Sequence, residues 1–285
     1  MLRRTLLWLA LVVCLPAVAH AGIFGTSPGD RLLPPPSQYT LPMEYGALDS
    51  HIDLQLQYTN FDYSSFGGGM NAAQNYNGMQ LAIDGQLSIF DRFQVGLNVP
   101  VLNYQSVTFG AGMADSAQFG NLLLKLKAKL IGKSTGPFVL SLFLNTLLPT
   151  MTGLDWHSYV AFHGGAGASI GISRITLNAA LGVYGAWADV PGGGAGGGSL
   201  FLVDLHAALR VLFMAPYLGF QLNTPISEIG GGHTPGAAIS AGIKFYLLAS
   251  YLHFDLGTRV AFNDHGKFYT SQGRAELVFA GGLRF

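Results

Sequence analysis

The chain carries eight histidines, fifteen acidic residues, fifteen basic residues and one cysteine, and their spacing limits the chemistry open to it. A lipid-cleaving site built on strands sets its nucleophilic serine two residues from a histidine, so that both project from one face. No His-x-Ser occurs. His157 and Ser158 are adjacent, which sends their side chains to opposite faces, and His157 reads as a loop residue. No protease constellation of Asp, Glu and His is evident. Gly192–Gly194 and Gly196–Gly198 lack the Lys-Ser/Thr that completes a phosphate loop and read as a flexible outer loop. Gly164 to Gly171 approaches a dinucleotide fingerprint but has Ile170 where the last glycine belongs. The histidines are not at metal-ligand spacing, and Cys14 sits in a leader expected to be removed. The expectation is a chain without catalytic residues, metal or cofactor.

What remains is charge placed with a period of two. Lys125, Lys127 and Lys129 form the clearest row. That spacing puts three like charges on one face of a strand, which is costly unless water or acidic neighbours face them.

The elements that would hold them alternate throughout. From Ser50 onward, Ile52, Leu54, Leu56 and Tyr58 interleave with His51, Asp53, Gln55, Gln57 and Thr59, the mark of a strand with unlike faces. Twelve such strands are expected, at 49–60, 78–90, 92–103, 118–131, 137–148, 158–172, 174–186, 200–212, 216–225, 236–247, 250–262 and 268–285. Short turns near Asp91, Gly132–Gly136, Ser173-Arg174, Met214 and Leu248 alternate with mostly longer loops at 61–77, 104–117, 149–157, 187–199, 226–235 and 263–267. Charged residues are 11% of the chain, against about 25% in ordinary globular proteins. After the N-terminus no apolar run reaches the roughly 18 residues of a membrane helix. In lipid every backbone N–H and C=O must be paired, so a sheet can span only by closing on itself. An even number of strands of this length, with short turns at one end, fits a closed transmembrane β-barrel of the outer-membrane type. A soluble sandwich would carry more charge on its polar faces. Phe93, Phe138, Phe245 and Phe285 fall on the outward face near the short turns, as one aromatic girdle requires.

The N-terminus is expected to be a signal peptide. Arg3 and Arg4 precede an apolar stretch from Thr5 to Val18, and Ala19-His20-Ala21 suits cleavage after Ala21. A lipoprotein signal at Cys14 would have the bulky Val13 before it. Residues 22–48, with Pro34-Pro35-Pro36 and Pro42, read as a linker or as a segment plugging the lumen. The barrel is expected over 49–285. No passenger precedes residue 50, so an autotransporter is not expected. The last strand alternates Ala275, Leu277, Phe279, Gly281, Leu283 and Phe285 outward. Such a C-terminus resembles the signal read by the outer-membrane assembly machinery.

With apolar faces turned to lipid, thirteen charges point inward: Asp53, Asp84, Lys125, Lys127, Lys129, Asp204, Arg210, Lys244, Asp255, Arg259, Arg274, Glu276 and Arg284. His51, His163, His206 and His253 share that face. These residues are the candidate lumen lining, serving either a rigidifying salt-bridge network or an electrostatic path for solutes. Small inward residues form a second sector: Gly165, Gly167, Ser169 and Gly171, then Ala180 and Gly182, then Ala238, Ser240 and Gly242. It leaves room for a solute or for residues 22–48.

The run Phe90-Asp91-Arg92-Phe93-Gln94-Val95-Gly96-Leu97-Asn98-Val99-Pro100, then Phe119-Gly120-Asn121 before a lysine-bearing strand, then Asn145 to Thr150 closing in Leu-Pro-Thr, resembles the outer-membrane transporter family linked to phenol meta-cleavage pathways. Asn121 stands where that pattern has Asp, and Thr152-Gly153 comes late after Pro149. The resemblance implies a 12-stranded barrel that passes small, often hydrophobic compounds, and supplies no catalytic residue. The expected function is an outer-membrane channel for small solutes, hydrophobic or aromatic ones among them. The alternative is a structural barrel sealed by 22–48. Expected partners are outer-membrane lipid, the assembly machinery through Phe285, and the solute; nothing points to nucleic acid.

Overall fold

The computed structural model describes residues 45–63, 74–109, 112–133, 136–150, 157–190, 194–227, 235–248, 251–262 and 271–285. The expected leader, the cleavage point after Ala21 and all of 22–44 lie outside them.

Thirteen strand segments form one antiparallel sheet. They are β1 (His51–Tyr63), β2 (Gln74–Ile89), β3 (Phe93–Phe109), β4 (Gly112–Gln118), β5 (Leu122–Gly132), β6 (Phe138–Leu148), β7 (His157–Ile172), β8 (Ile175–Val190), β9 (Gly194–Leu209), β10 (Met214–Ser227), β11 (Gly236–Leu247), β12 (Leu252–Phe262) and β13 (Ser271–Arg284). β4 and β5 both pair with β3, β4 at residues 103–109 and β5 at 93–98. They are one staved strand interrupted at Phe119-Gly120-Asn121, so the ring has twelve strand positions. β1 pairs with both β2 and β13, from His51↔Arg284 onward, and this closes the barrel.

The break in the fourth strand has a local cause. Gly120 donates its N–H to Pro100 O, and a Cβ there would lie 2.6 Å from Pro100 Cβ. Asn121 accepts from Thr150 N, and Thr150 Oγ1 accepts from Leu122 N and donates to Gly120 O. The ladder is thus replaced by side-chain bonds across the gap.

Two expected loops are strand instead. Residues 104–109 and 112–118 extend a β3–β4 hairpin beyond the barrel wall. Gly194 and Gly196–Gly198 belong to β9 and pair with 186–190 of β8. Backbone pairing needs no side chain, so glycine composition marked a loop that the ladder overrides. His157 likewise opens β7. The short turns hold several residues at positive φ, Phe90 (52°) and Asp91 (51°) among them, the twist that tight antiparallel connections demand.

The outer face is apolar around the circumference, mostly Leu, Ile, Val and Phe, with Leu54, Leu181, Leu205, Leu218, Leu256 and Leu277 each more than half exposed. Phe93 and Phe138 are exposed and Phe245 and Phe285 partly so, near the short turns. In β13 the exposed Ala275, Leu277 and Phe279 alternate with the buried Glu276, Val278 and Ala280.

Candidate functional site

The period-two pattern sends every other residue inward, and the barrel brings most of the charged ones together toward its short-turn end, with the Arg259–Glu276 pair higher on the wall. Lys125, Lys127 and Lys129 each meet a different acceptor. Lys125 Nζ donates to Asp84 Oδ1 at 2.5 Å, Lys127 Nζ to the Ala47 carbonyl at 3.0 Å, and Lys129 to the Asp91 carboxylate in the β2–β3 turn. The row is therefore neutralised across strands. Asp84 also faces His51 Nε2 at 3.1 Å. His253 Nε2 meets Asp53 at 3.0 Å, Lys244 pairs with Asp255 at 3.7 Å, and Arg259 pairs with Glu276 at 3.4 Å while donating to Gln221 at 2.7 Å. Arg210 and Arg284 lie over the Tyr246 ring, at 5.8 and 5.6 Å from its centroid. Arg274 lies in β13 opposite Phe61 and Ala261, and its side chain is outside the described residues.

Residues 45–50 run across this end of the lumen. Ser50 is fully buried at the start of β1, where its carbonyl accepts from Phe285 N. Asp49 Oδ1 accepts from Arg284 Nε at 3.0 Å, its Oδ2 lies 3.0 Å from His51 Nδ1, and its N–H donates to Gln94 Oε1 at 2.9 Å. Ala47 N donates to Ser169 Oγ at 3.1 Å, and Ser141 Oγ donates to Gly46 O at 2.6 Å. Ser141 and Ser169 belong to β6 and β7, on the far side of the ring from β1. Gly46 is wedged between them: a Cβ there would overlap Val139 O and lie 2.7 Å from Ser169 N. Tyr45 ends the described segment, its hydroxyl donating to Asp204 Oδ2 at 3.0 Å.

Above this crossing β6–β9 contribute an apolar cluster to the interior, set among the buried polar side chains of Asn145, His163 and His206. Phe143, Ala161, Ala180, Tyr184, Ala186, Leu200 and Leu202 pack together with Tyr45. Rings run along the wall: Phe143 to His163 at 5.0 Å and His163 to Tyr184 at 6.3 Å, with Tyr45 to His206 at 5.9 Å and His206 to Tyr217 at 5.0 Å.

The small-residue sector does not stand open along its length. A Cβ on Gly165 would lie 2.9 Å from the Phe143 ring, one on Gly182 would lie 2.7 Å from His163 Nε2, and one on Gly242 would overlap the Tyr217 hydroxyl. The glycines let the barrel's own rings lie flat against its wall, while Ser169 receives the crossing segment. Among the described residues, neither amide atom of the buried Asn145 and neither ring nitrogen of the buried His206 has a hydrogen-bond partner. Buried polar atoms are rarely left so, and here they face the lumen.

Sequence reading missed the tethering and charged groups Tyr45, Asp49 and Asp91, the polar partners Gln94, Ser141 and Gln221, and the apolar and aromatic lining of Phe143, Tyr184, Leu200, Leu202, Tyr217 and Tyr246. Asp49 shares the inward phase of His51 and Asp53, so extending the alternation by one step finds it. Tyr45 follows a proline-rich stretch with no periodicity, and no local signal marks it.

No family profile matches the chain, and no curated protein matches it in sequence. Solved structures do match. An outer-membrane channel from Pseudomonas putida F1 aligns over 86% of this chain and 99% of that one, at a TM-score of 0.60 and 11% identity. The translocator domain of the autotransporter NalP from Neisseria meningitidis covers 85% of this chain and 91% of its own, at 0.58 and 10%. The β domain of the Bordetella autotransporter BrkA covers 83% and 100%, at 0.54 and 12%. At these identities the likeness is one of fold, that of Gram-negative outer-membrane barrels.

Proposed function

We propose that the chain is an outer-membrane channel for small solutes, biased toward apolar and aromatic ones, with residues 45–50 closing its short-turn end. The observation carrying the solute class is the inner face of β6–β9. A porin lumen is polar, yet Phe143, Tyr184, Leu200 and Leu202 gather inside this one. Apolar wall lowers the free energy of an apolar ring by about 25 cal/mol per Å² removed from water and does nothing comparable for a hydrated ion. The family resemblance points the same way, and the likeness to the Pseudomonas channel supports the scaffold.

The closure is held by polar contacts from Gly46, Ala47 and Asp49 and by the buried side chains of Tyr45 and Leu48. Opening would exchange those bonds for bonds to water, a change whose net cost per bond is only about 0.5–1.5 kcal/mol. The wider segment 22–48 is the proposed plug, and Asp53, Asp84, Lys125, Lys244, His253, Arg259, Glu276 and Arg284 are the proposed charged lining of the lumen. The chain would reach the outer membrane through a signal cleaved after Ala21 and be recognised for assembly through Phe285.

Planar-bilayer conductance and liposome swelling test this reading. Deleting 22–48 should raise conductance, and 4-hydroxybenzenesulfonate should enter liposomes faster than arabinose. A pure, folded barrel lacking 22–48 that neither conducts nor passes either solute would sink it.

A further inference from the structure

The position of Tyr45 carries more than closure. Its side chain is a phenol on a tether, and it sits in a seat made of barrel wall. The hydroxyl donates to Asp204 Oδ2 at 3.0 Å. The ring lies 5.9 Å from His206 at an interplanar angle of 32°. Phe143, Tyr184, Leu200 and Leu202 complete the apolar side, and Tyr45 is 3% exposed. The wall alone thus presents one carboxylate acceptor beside an aromatic-sized apolar pocket.

A second observation is independent of the tyrosine. His206 is buried beside this seat, and neither of its ring nitrogens has a hydrogen-bond partner among the described residues. A seat evolved only to hold Tyr45 has no use for a buried imidazole with both nitrogens unsatisfied, which costs free energy. It holds more polar capacity than the tethered phenol consumes.

Resting on the channel reading above, we propose that the seat of Tyr45 is a binding site in the lumen for a small aromatic solute bearing a hydroxyl group, with Tyr45 its tethered occupant. Asp204 accepts a hydrogen bond from the solute's hydroxyl, and Phe143, Leu200, Leu202 and His206 flank the ring. Solute and plug then compete for one place. A free solute must outbid a tethered ring whose effective concentration is in the millimolar range, as for other short tethers.

The test uses phenol and its methyl ether anisole, which has the ring without the donor. Binding is followed by saturation-transfer NMR on the full chain in lipid nanodiscs, with empty nanodiscs as the partition control. Tyr45→Ala should bind phenol at least tenfold more tightly than the wild type, because the occupant is gone. Tyr45→Phe, which keeps the ring, should fall between them. In the Tyr45→Ala background phenol should be preferred to anisole about tenfold, since a hydrogen bond to a carboxylate is a strong one. Asp204→Leu should abolish that preference while leaving anisole binding within threefold. Equal phenol affinity in the wild type and Tyr45→Ala overturns the proposal, as does a phenol preference that survives Asp204→Leu. Tyr45 lies outside the strands, and heat-modifiable migration confirms that each variant is a closed barrel. A barrel that binds phenol as described but passes no 4-hydroxybenzenesulfonate refutes the channel and keeps the site. A barrel that conducts while Tyr45→Ala gains no phenol affinity refutes the site and keeps the channel.

Discussion

Asp49→Ala tests the closure directly. Asp49 faces Arg284, whose guanidinium is 1% exposed, with Nε at 3.0 Å and Nη2 at 2.9 Å from Oδ1. Its other oxygen faces His51. Removing one member of a buried ion pair costs about 3–5 kcal/mol because the other charge is left uncompensated. In the closed state that penalty is felt in full, since Arg284 is buried there against Asp49 and the Tyr246 ring. In an open state water reaches the guanidinium and the penalty largely vanishes. Taking the lower figure, about 3 kcal/mol, the closed state loses roughly a hundredfold in population against the open one, at about 1.4 kcal/mol per factor of ten. Single-channel recording in planar bilayers reads this as open probability. The double variant Asp49→Ala/Arg284→Gln should recover a good part of the closure, because no charge is then stranded. An Asp49→Ala channel whose open probability stays within threefold of the wild type would refute the reasoning, provided its melting temperature shows the barrel intact.

Other outcomes follow from the same geometry. Gly46→Val puts a Cβ onto Val139 O and Ser169 N, so it should raise open probability while leaving the denaturant midpoint of the barrel unchanged. Lys125→Met removes the lysine from Asp84, which is 1% exposed and keeps only His51 and Gln86, and should cost the barrel up to about 3–5 kcal/mol in detergent unfolding. Lys125→Met/Asp84→Leu should regain most of that loss. Leu277→Arg, at the middle of β13 and 53% exposed to lipid, should cost about 2–4 kcal/mol in the same assay in bilayers, the usual penalty for a midplane charge.

Much of the fold was legible because a transmembrane barrel strand is written locally. Leu277 and Glu276 differ in face because neighbouring side chains on a strand point oppositely, and the choice of face follows from lipid on one side. The interrupted fourth strand was not legible. Phe119-Gly120-Asn121 looks like a strand beginning, and only Pro100 and Thr150, brought alongside by pairing, make it a gap between two halves. The glycines of β9 misled for a related reason: composition speaks of side chains, whereas a ladder is made by backbone. The small inward residues were visible as a sector, but what fills them was not, because Phe143, His163 and Tyr217 reach Gly165, Gly182 and Gly242 from neighbouring strands.

Sequence by itself determined which residues meet lipid and which face the interior, for that follows from a period of two and the cost of leaving a backbone group unpaired in hydrocarbon. Tertiary structure alone decided which inward residues meet one another. Arg284 reaches Asp49 across 235 residues and His253 reaches Asp53 across 200, contacts that exist only because β1 closes against β13. The crossing of the lumen by residues 45–50, and the seat that Tyr45 takes against Asp204, were decided in the same way. A segment without periodicity has no face of its own, and its place is set by whichever walls the closed ring brings within reach.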